Sequence, residues 1–124
     1  MCLNNWGGID HKVLEFHEYV NLFSGKSGSG KSTVMDAIQV ILYGSFSPSF
    51  LNKAADDAKN RRSVLSYLRG EQKDGSANRK DCDFCSVIAL EIEDTGIHIT
   101  TCIGIAFEVR KSDSEIKKFV YFSH

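Results

Sequence analysis

Gly25, Gly30, Lys31 and Ser32 satisfy the spacing GxxxxGK[S/T] within "FSGKSGSGKST", residues 23–33, and this stretch restricts the fold more than any other. Glycine lets the backbone curl until consecutive N–H groups point at one anion, and the positive end of a following helix dipole adds to their field. The pattern therefore has its meaning only between a strand and a helix. Gly25, Gly28, Ser29, Gly30, Lys31, Ser32 and Thr33 form the expected phosphate-binding set, with the N–H groups of the last three closing the cradle. Lys31 supplies a mobile point charge for the β and γ phosphates of ATP, and the Ser32 hydroxyl is the expected Mg²⁺ ligand. Lys26 occupies an unconstrained position of the pattern and reads as a solvated lysine.

The flanks argue against a flexible Gly/Ser linker of similar composition. Residues 13–23, "VLEFHEYVNLF", are rich in β-branched and aromatic types and predict two short strands or a bent hairpin, with Leu22 and Phe23 as the buried strand entering the loop. After the loop, Val34, Ile38, Ile41 and Leu42 recur at helical spacing with Ala37 between them, and Gly44 stands where a C-terminal cap belongs. "SFSPSFLN" reads as a loop. A short helix within "DDAKNRRSVLSYLRG" is expected to end near Gly70, and the polar run 71–83 reads as a mobile loop.

The period then changes. "SVIALEIE" places Ile88, Leu90 and Ile92 on one face, "DTG" turns the chain, and Ile97, Ile99, Thr101, Ile103 and Ile105 continue the alternation. With "IKKFVYF" after a further turn, residues 86–122 predict an antiparallel meander of three or four strands.

Composition removes several function classes. The 124 residues with 42% hydrophobic content suit one domain. Fifteen basic and 16 acidic side chains give a net charge of −1, so no global field holds nucleic acid, although residues 53–80 carry eight basic against four acidic groups. No apolar run approaches the roughly 18 residues that span a bilayer, and the N-terminus lacks the order of a signal peptide, so a cytoplasmic location is expected. The four cysteines read as reduced thiols. Cys82 and Cys85 have zinc-ligand spacing but no second pair to complete four ligands.

Hydrolysis would need a carboxylate for Mg²⁺ and another to polarise water. Glu91, Glu93 and Asp94 follow an apolar run, but Glu91 and Glu93 share one strand face and read as a solvent-facing edge. The loop is thus expected to hold ATP without the groups that cleave it. Trp6 reads as a buried anchor rather than a base-stacking platform.

"NNWGGID…VLEFH" followed by "LFSGKSGSGKSTVMDAIQVILYG" resembles the N-terminal head segment of SMC-like, ABC-class P-loop ATPases, which include Rad50, MukB and the large coiled-coil component of Wadjet-type anti-plasmid condensins. "FLNKAADDAKNRRSVLSYLRGEQKDG" is similar to the segment after the first helix in the Wadjet and MukB-like branch, and the resemblance runs from Asn5 to about Gly104. It implies an α/β fold, a P-loop NTPase N-terminal lobe with an antiparallel meander and a P-loop helix. One partial domain, 1–124, would comprise strand, P-loop and helix in 5–44, a basic arginine-bearing segment in 53–80, and antiparallel strands in 86–122. Asp36 and Ala37 match the "DA" of such heads, and one of Arg61, Arg62 and Arg69 would be their loop arginine, near nucleotide and the DNA-facing surface. The resemblance also implies a C-terminal lobe and a second head as partners, kleisin-type subunits, and DNA contacts in the assembled complex. The chain is expected to be a piece of such a protein, because no heptad run precedes His124 and the signature, second carboxylate motif and switch histidine of such heads are not in it. Two other readings stay open: a small self-contained P-loop kinase, and a non-enzymatic nucleic-acid-binding module using residues 53–80.

Overall fold

A computed structural model describes residues 1–26, 28–44, 64–72 and 74–124. Strands β1 (Cys2–Trp6) and β2 (Ile9–Val13) precede helix α1 (Lys31–Tyr43); helix α2 (Val64–Leu68) precedes β3 (Phe84–Asp94), β4 (Ile99–Val109) and β5 (Lys118–Ser123). The strands form one sheet in the order β2-β1-β3-β4-β5, with every neighbouring pair antiparallel. The expected meander is β3-β4-β5, and the N-terminal hairpin extends it through β1 beside β3.

Register explains which face is buried. Leu3 pairs with Ile88, Ile88 with Ile105 and Ile105 with Tyr121, so one row of side chains crosses four strands. Leu3, Ile88 and Ile105 are fully buried, as is Phe107 in the next row of that face. Val34, Ala37, Val40 and Ile41 of α1 join them in a single apolar cluster with Trp6, Leu65, Tyr67 and Leu68. The sheet is thus half of a two-layer packing whose other half is helical. Both ends of α1 are tied to the sheet by aromatic side chains. Trp6 Nε1 donates to the Thr33 carbonyl at 2.9 Å, and the Tyr121 hydroxyl donates to the Gly44 carbonyl at 2.8 Å. Gly44 is the left-handed cap expected from the sequence, its N–H bonded to Val40 O at 3.0 Å.

On the opposite face the ring of Phe122 lies against Gly104, its cross-strand partner. A Cβ at Gly104 would come within 2.1 Å of that ring, so glycine is required by the close approach. At the turn end of this pair, Lys118 Nζ meets Glu108 Oε2 at 2.7 Å, and this hydrogen bond holds the Glu108 carboxyl below its ordinary range.

Several expectations are corrected. Leu22 and Phe23 are not in a strand; residues 14–26 carry none, and Leu22 is 88% exposed. The Asn21 side chain explains the local path, because it accepts from His17 N at 2.7 Å and donates to His17 O at 2.9 Å. A short amide side chain that captures backbone groups in this way competes with strand pairing. Leu42 lies outside the buried stripe of α1 and Val40 takes its place. Ile97 falls in the turn before β4, and Ile92 and Ile99 are exposed, since the β3–β4 hairpin runs past the helical layer. The polar run 71–83 is tied down: Glu71 bridges Ala77, and Arg79 is buried. The loop expected at "SFSPSFLN" and the start of the short helix lie outside the described residues, while its end, Leu68 before Gly70, falls where expected.

Gly104→Ala should displace the Phe122 ring and cost about 1–3 kcal/mol of stability, as overpacking does elsewhere; a denaturant midpoint unchanged from the parent would contradict this account of the β4–β5 contact.

Candidate phosphate-binding site

Gly28, Ser29 and Gly30 lead directly into α1, and Gly30 is the helix N-cap. Gly28 and Gly30 have φ of 84° and 94°, in the left-handed region that side-chain-bearing residues rarely adopt. The first helical bond runs from Val34 N to Gly30 O at 3.1 Å. The N–H groups of Lys31, Ser32 and Thr33 precede it and have no acceptor within the helix. No side chain caps this end and no acidic residue stands in the first turn, so nothing offsets the positive end of the dipole. That donor set suits an anion, and the fit does not extend to a cation without one.

Lys31 folds back over the loop. Its ammonium donates to the carbonyls of Gly25 and of Lys26, the latter at 3.0 Å, and to Ser29 Oγ at 3.3 Å. Ser29 N in turn bonds Lys26 O at 3.1 Å, closing a tight turn beneath it. Gly25, Ser29 and Lys31 thus meet at one point, with exposed Ser32 one residue further into the helix. Lys26 is exposed, matching the solvated reading.

The first turn of α1 rests on the N-terminal hairpin. Trp6 is fully buried, in line with its reading as an anchor, and its indole N–H holds the Thr33 carbonyl. Its ring packs on Tyr67 with centroids 4.8 Å apart. The Tyr67 hydroxyl donates to Asp36 Oδ2 at 3.0 Å, within a buried environment. Asp36 of the "DA" pair is therefore a carboxylate turned inward from α1 to meet α2, and Ala37 beside it is fully buried.

Of the three candidate arginines, Arg61 and Arg62 lie outside the described residues. Arg69 Nη2 reaches the carbonyls of Arg110, Lys111 and Asp113 at 3.3, 3.2 and 2.9 Å, so it braces the β4–β5 turn rather than residues 25–33. Arg79, which no sequence motif singles out, is only 6% exposed. It donates to the Leu68 carbonyl at 3.0 Å, to Asp10 Oδ1 at 2.8 Å and to the Gly7 carbonyl. Burial pushes its guanidinium below the ordinary arginine range, with the Asp10 charge opposing the shift. Its only local signal is its place in a basic run, which marks surface arginines equally well.

Glu91, Glu93 and Asp94 are exposed, and Asp94 Oδ1 accepts from Gly96 N at 2.9 Å in the hairpin turn. Cys82 and Cys85 are exposed free thiols. Among the described residues no three His, Cys, Asp or Glu side chains could jointly hold a metal ion, and no helix is long and apolar enough to cross a membrane.

Residues 1–58 match a family described as the P-loop containing region of AAA domain. The chain is 33% identical over 72 residues to the SbcC component of the nuclease SbcCD from Staphylococcus haemolyticus, covering 55% of this chain and 6% of that protein. It is 29% identical over 72 residues to the DNA double-strand break repair Rad50 ATPase of Saccharolobus solfataricus, covering 58% and 8% respectively. The chain therefore spans less than a tenth of either relative's length. These matches bear out the resemblance to a head segment of SMC-like, ABC-class P-loop ATPases.

Trp6→Phe keeps an aromatic ring but removes the indole donor to Thr33 and leaves part of a fully buried volume unfilled, and should cost about 2–4 kcal/mol; amide exchange at Lys31–Val34 should quicken while that of β3 and β4 amides changes less. Tyr67→Phe should cost about 1–3 kcal/mol by leaving a buried carboxylate short of a donor, read as a lowered denaturant midpoint.

Proposed function

We propose that residues 25–33 bind the triphosphate of ATP with Mg²⁺, as part of the N-terminal lobe of an SMC-like ATPase head that acts on DNA. The observation that carries this reading is the convergence of Lys31 and the uncapped, acid-free first turn of α1 on one loop. Gly25, Gly28, Ser29 and Gly30 shape the backbone, the N–H groups of Lys31, Ser32 and Thr33 face the phosphates, and Lys31 exchanges its loop carbonyls for phosphate oxygens. A carbonyl is a neutral acceptor and a phosphate a charged one, so the exchange favours the anion. The Ser32 hydroxyl would hold Mg²⁺, which would supply neutralisation of phosphate charge there.

The matching relatives are a component of a nuclease and a double-strand break repair ATPase, which supports placing this chain in a DNA-handling machine. Cleavage of ATP then depends on a C-terminal lobe and a second head, with DNA and kleisin-type subunits engaged by the complete assembly. Glu91, Glu93 and Asp94, exposed along β3, are not positioned by any described contact beside Ser32. The cytoplasm is the expected compartment.

Both other readings fare less well. A small P-loop kinase would continue with alternating strands and helices in a parallel sheet, whereas every described strand pair is antiparallel. For a nucleic-acid grip built on 53–80, the two arginines of that segment among the described residues, Arg69 and Arg79, are engaged with backbone carbonyls and so are less available to phosphates.

Equilibrium titration with MgATP tests the proposal. The 124-residue chain should bind with negligible turnover, and Lys31→Ala should weaken binding by at least about tenfold, equivalent to 1.4 kcal/mol. Equal affinity in the two proteins removes the phosphate site, and sustained hydrolysis by the chain alone removes the dependence on a second lobe.

A further inference from the structure

We propose that Arg79 is a positioning residue for the phosphate loop, acting through the Gly7 carbonyl; this rests on the reading of residues 25–33 as a triphosphate site. Arg79 donates to Gly7 O, Leu68 O and Asp10 Oδ1 from a nearly fully buried position. It thereby ties the turn of the N-terminal hairpin to the end of α2. That turn is pressed against the start of α1. Gly7 has φ of 55°, and a Cβ there would stand 2.9 Å from Thr33 Cγ2. Trp6, one residue earlier, holds the Thr33 carbonyl, and Ile9, two residues later, brings its Cδ1 to 4.0 Å from the Cβ position of Gly30. The hairpin therefore meets Thr33 through Trp6 and Gly7 and comes close to Gly30 through Ile9 at the start of β2, and Lys31 and Ser32 lie between those two supports.

The Gly7 carbonyl is held from two sides. Arg79 donates to it, and Gly70 approaches so closely that a Cβ there would come within 2.8 Å of the same oxygen. With Arg79 absent, the Gly7 and Leu68 carbonyls each lose a donor in a water-poor setting, and the turn beneath Thr33 loses its fixed height. The N–H groups of Lys31, Ser32 and Thr33 must converge within a few tenths of an ångström to share one phosphate, so a small tilt of the first turn reduces their joint grip.

The mechanism is geometric rather than coulombic. Asp10 compensates the Arg79 charge at 2.8 Å. Lysine keeps the charge but cannot reproduce a planar fork reaching two carbonyls and a carboxylate in different directions. Arg79→Lys should therefore fail to preserve the loop.

The test compares the parent chain with Arg79→Lys, Asp10→Ala and Gly104→Ala, titrated with MgATP well below their unfolding midpoints. Trp6 is the only tryptophan, so its emission reports directly on the turn that carries Thr33. Arg79→Lys should weaken MgATP binding by about tenfold and alter the emission change on binding. Asp10→Ala leaves the buried guanidinium without its carboxylate, a cost to stability read separately from the denaturant midpoint, and should weaken binding by about threefold through the freed guanidinium. Gly104→Ala, destabilised on the far face of the sheet, should bind as the parent does. Parent-like affinity and emission in Asp10→Ala, or in a folded Arg79→Lys, overturn the proposal, as does equal weakening in Gly104→Ala. Absence of binding by the parent removes the phosphate site and this inference together, whereas intact binding by the parent and all variants removes this inference alone.

Discussion

The hydrogen bond from Trp6 to the Thr33 carbonyl joins two separate parts of the chain: a hairpin near the N-terminus and the first turn of the glycine-loop helix. It is the directional part of the support that the loop receives from the sheet side, beside the close approach of Gly7 to Thr33. With it, the loop is suspended between α1 and a sheet whose own packing is dominated by Leu3, Ile88, Ile105 and Phe107. Tyr67 completes the join, its ring on Trp6 and its hydroxyl on Asp36, so that β1, α1 and α2 meet around a buried polar contact beside the apolar cluster. A polar contact in such a setting restricts orientation more than apolar packing alone, because an alternative arrangement leaves a buried donor or acceptor unmatched.

The parts legible in the sequence are those encoded by short-range pattern. The glycine spacing located the loop, and apolar spacing with Gly44 located α1. Strict alternation from Ser86 onward located the meander, although it overran the buried region at Ile92, Ile97 and Ile99 because period two marks a strand and not what covers it. The segment ending at Leu22 and Phe23 has strand composition, yet strand formation also requires a neighbour, and the Asn21 amide bonds His17 instead. Composition cannot register that competition.

Arg79 was illegible for a different reason. Its partners Gly7 and Asp10 lie 72 and 69 residues away, and the surrounding "SANRKD" offers no apolar context that would suggest burial. Arg69 shows the converse: a residue prominent in the sequence for its motif is occupied with the carbonyls of a distant turn. Arginines in a basic run are alike to a local reading and differ only in which carbonyls the fold presents to them.

Helix α1, 13 residues and about 20 Å long at 1.5 Å per residue, is pinned in its first turn by Trp6 and at its cap by Tyr121. A helix held at both ends by directional bonds behaves as a strut and has little freedom to slide or fray independently. A displacement of its first turn along the axis would bear on Gly44 and on β5, the edge strand opposite β2. The phosphate loop and the far edge of the sheet thus form the two ends of a single mechanical link.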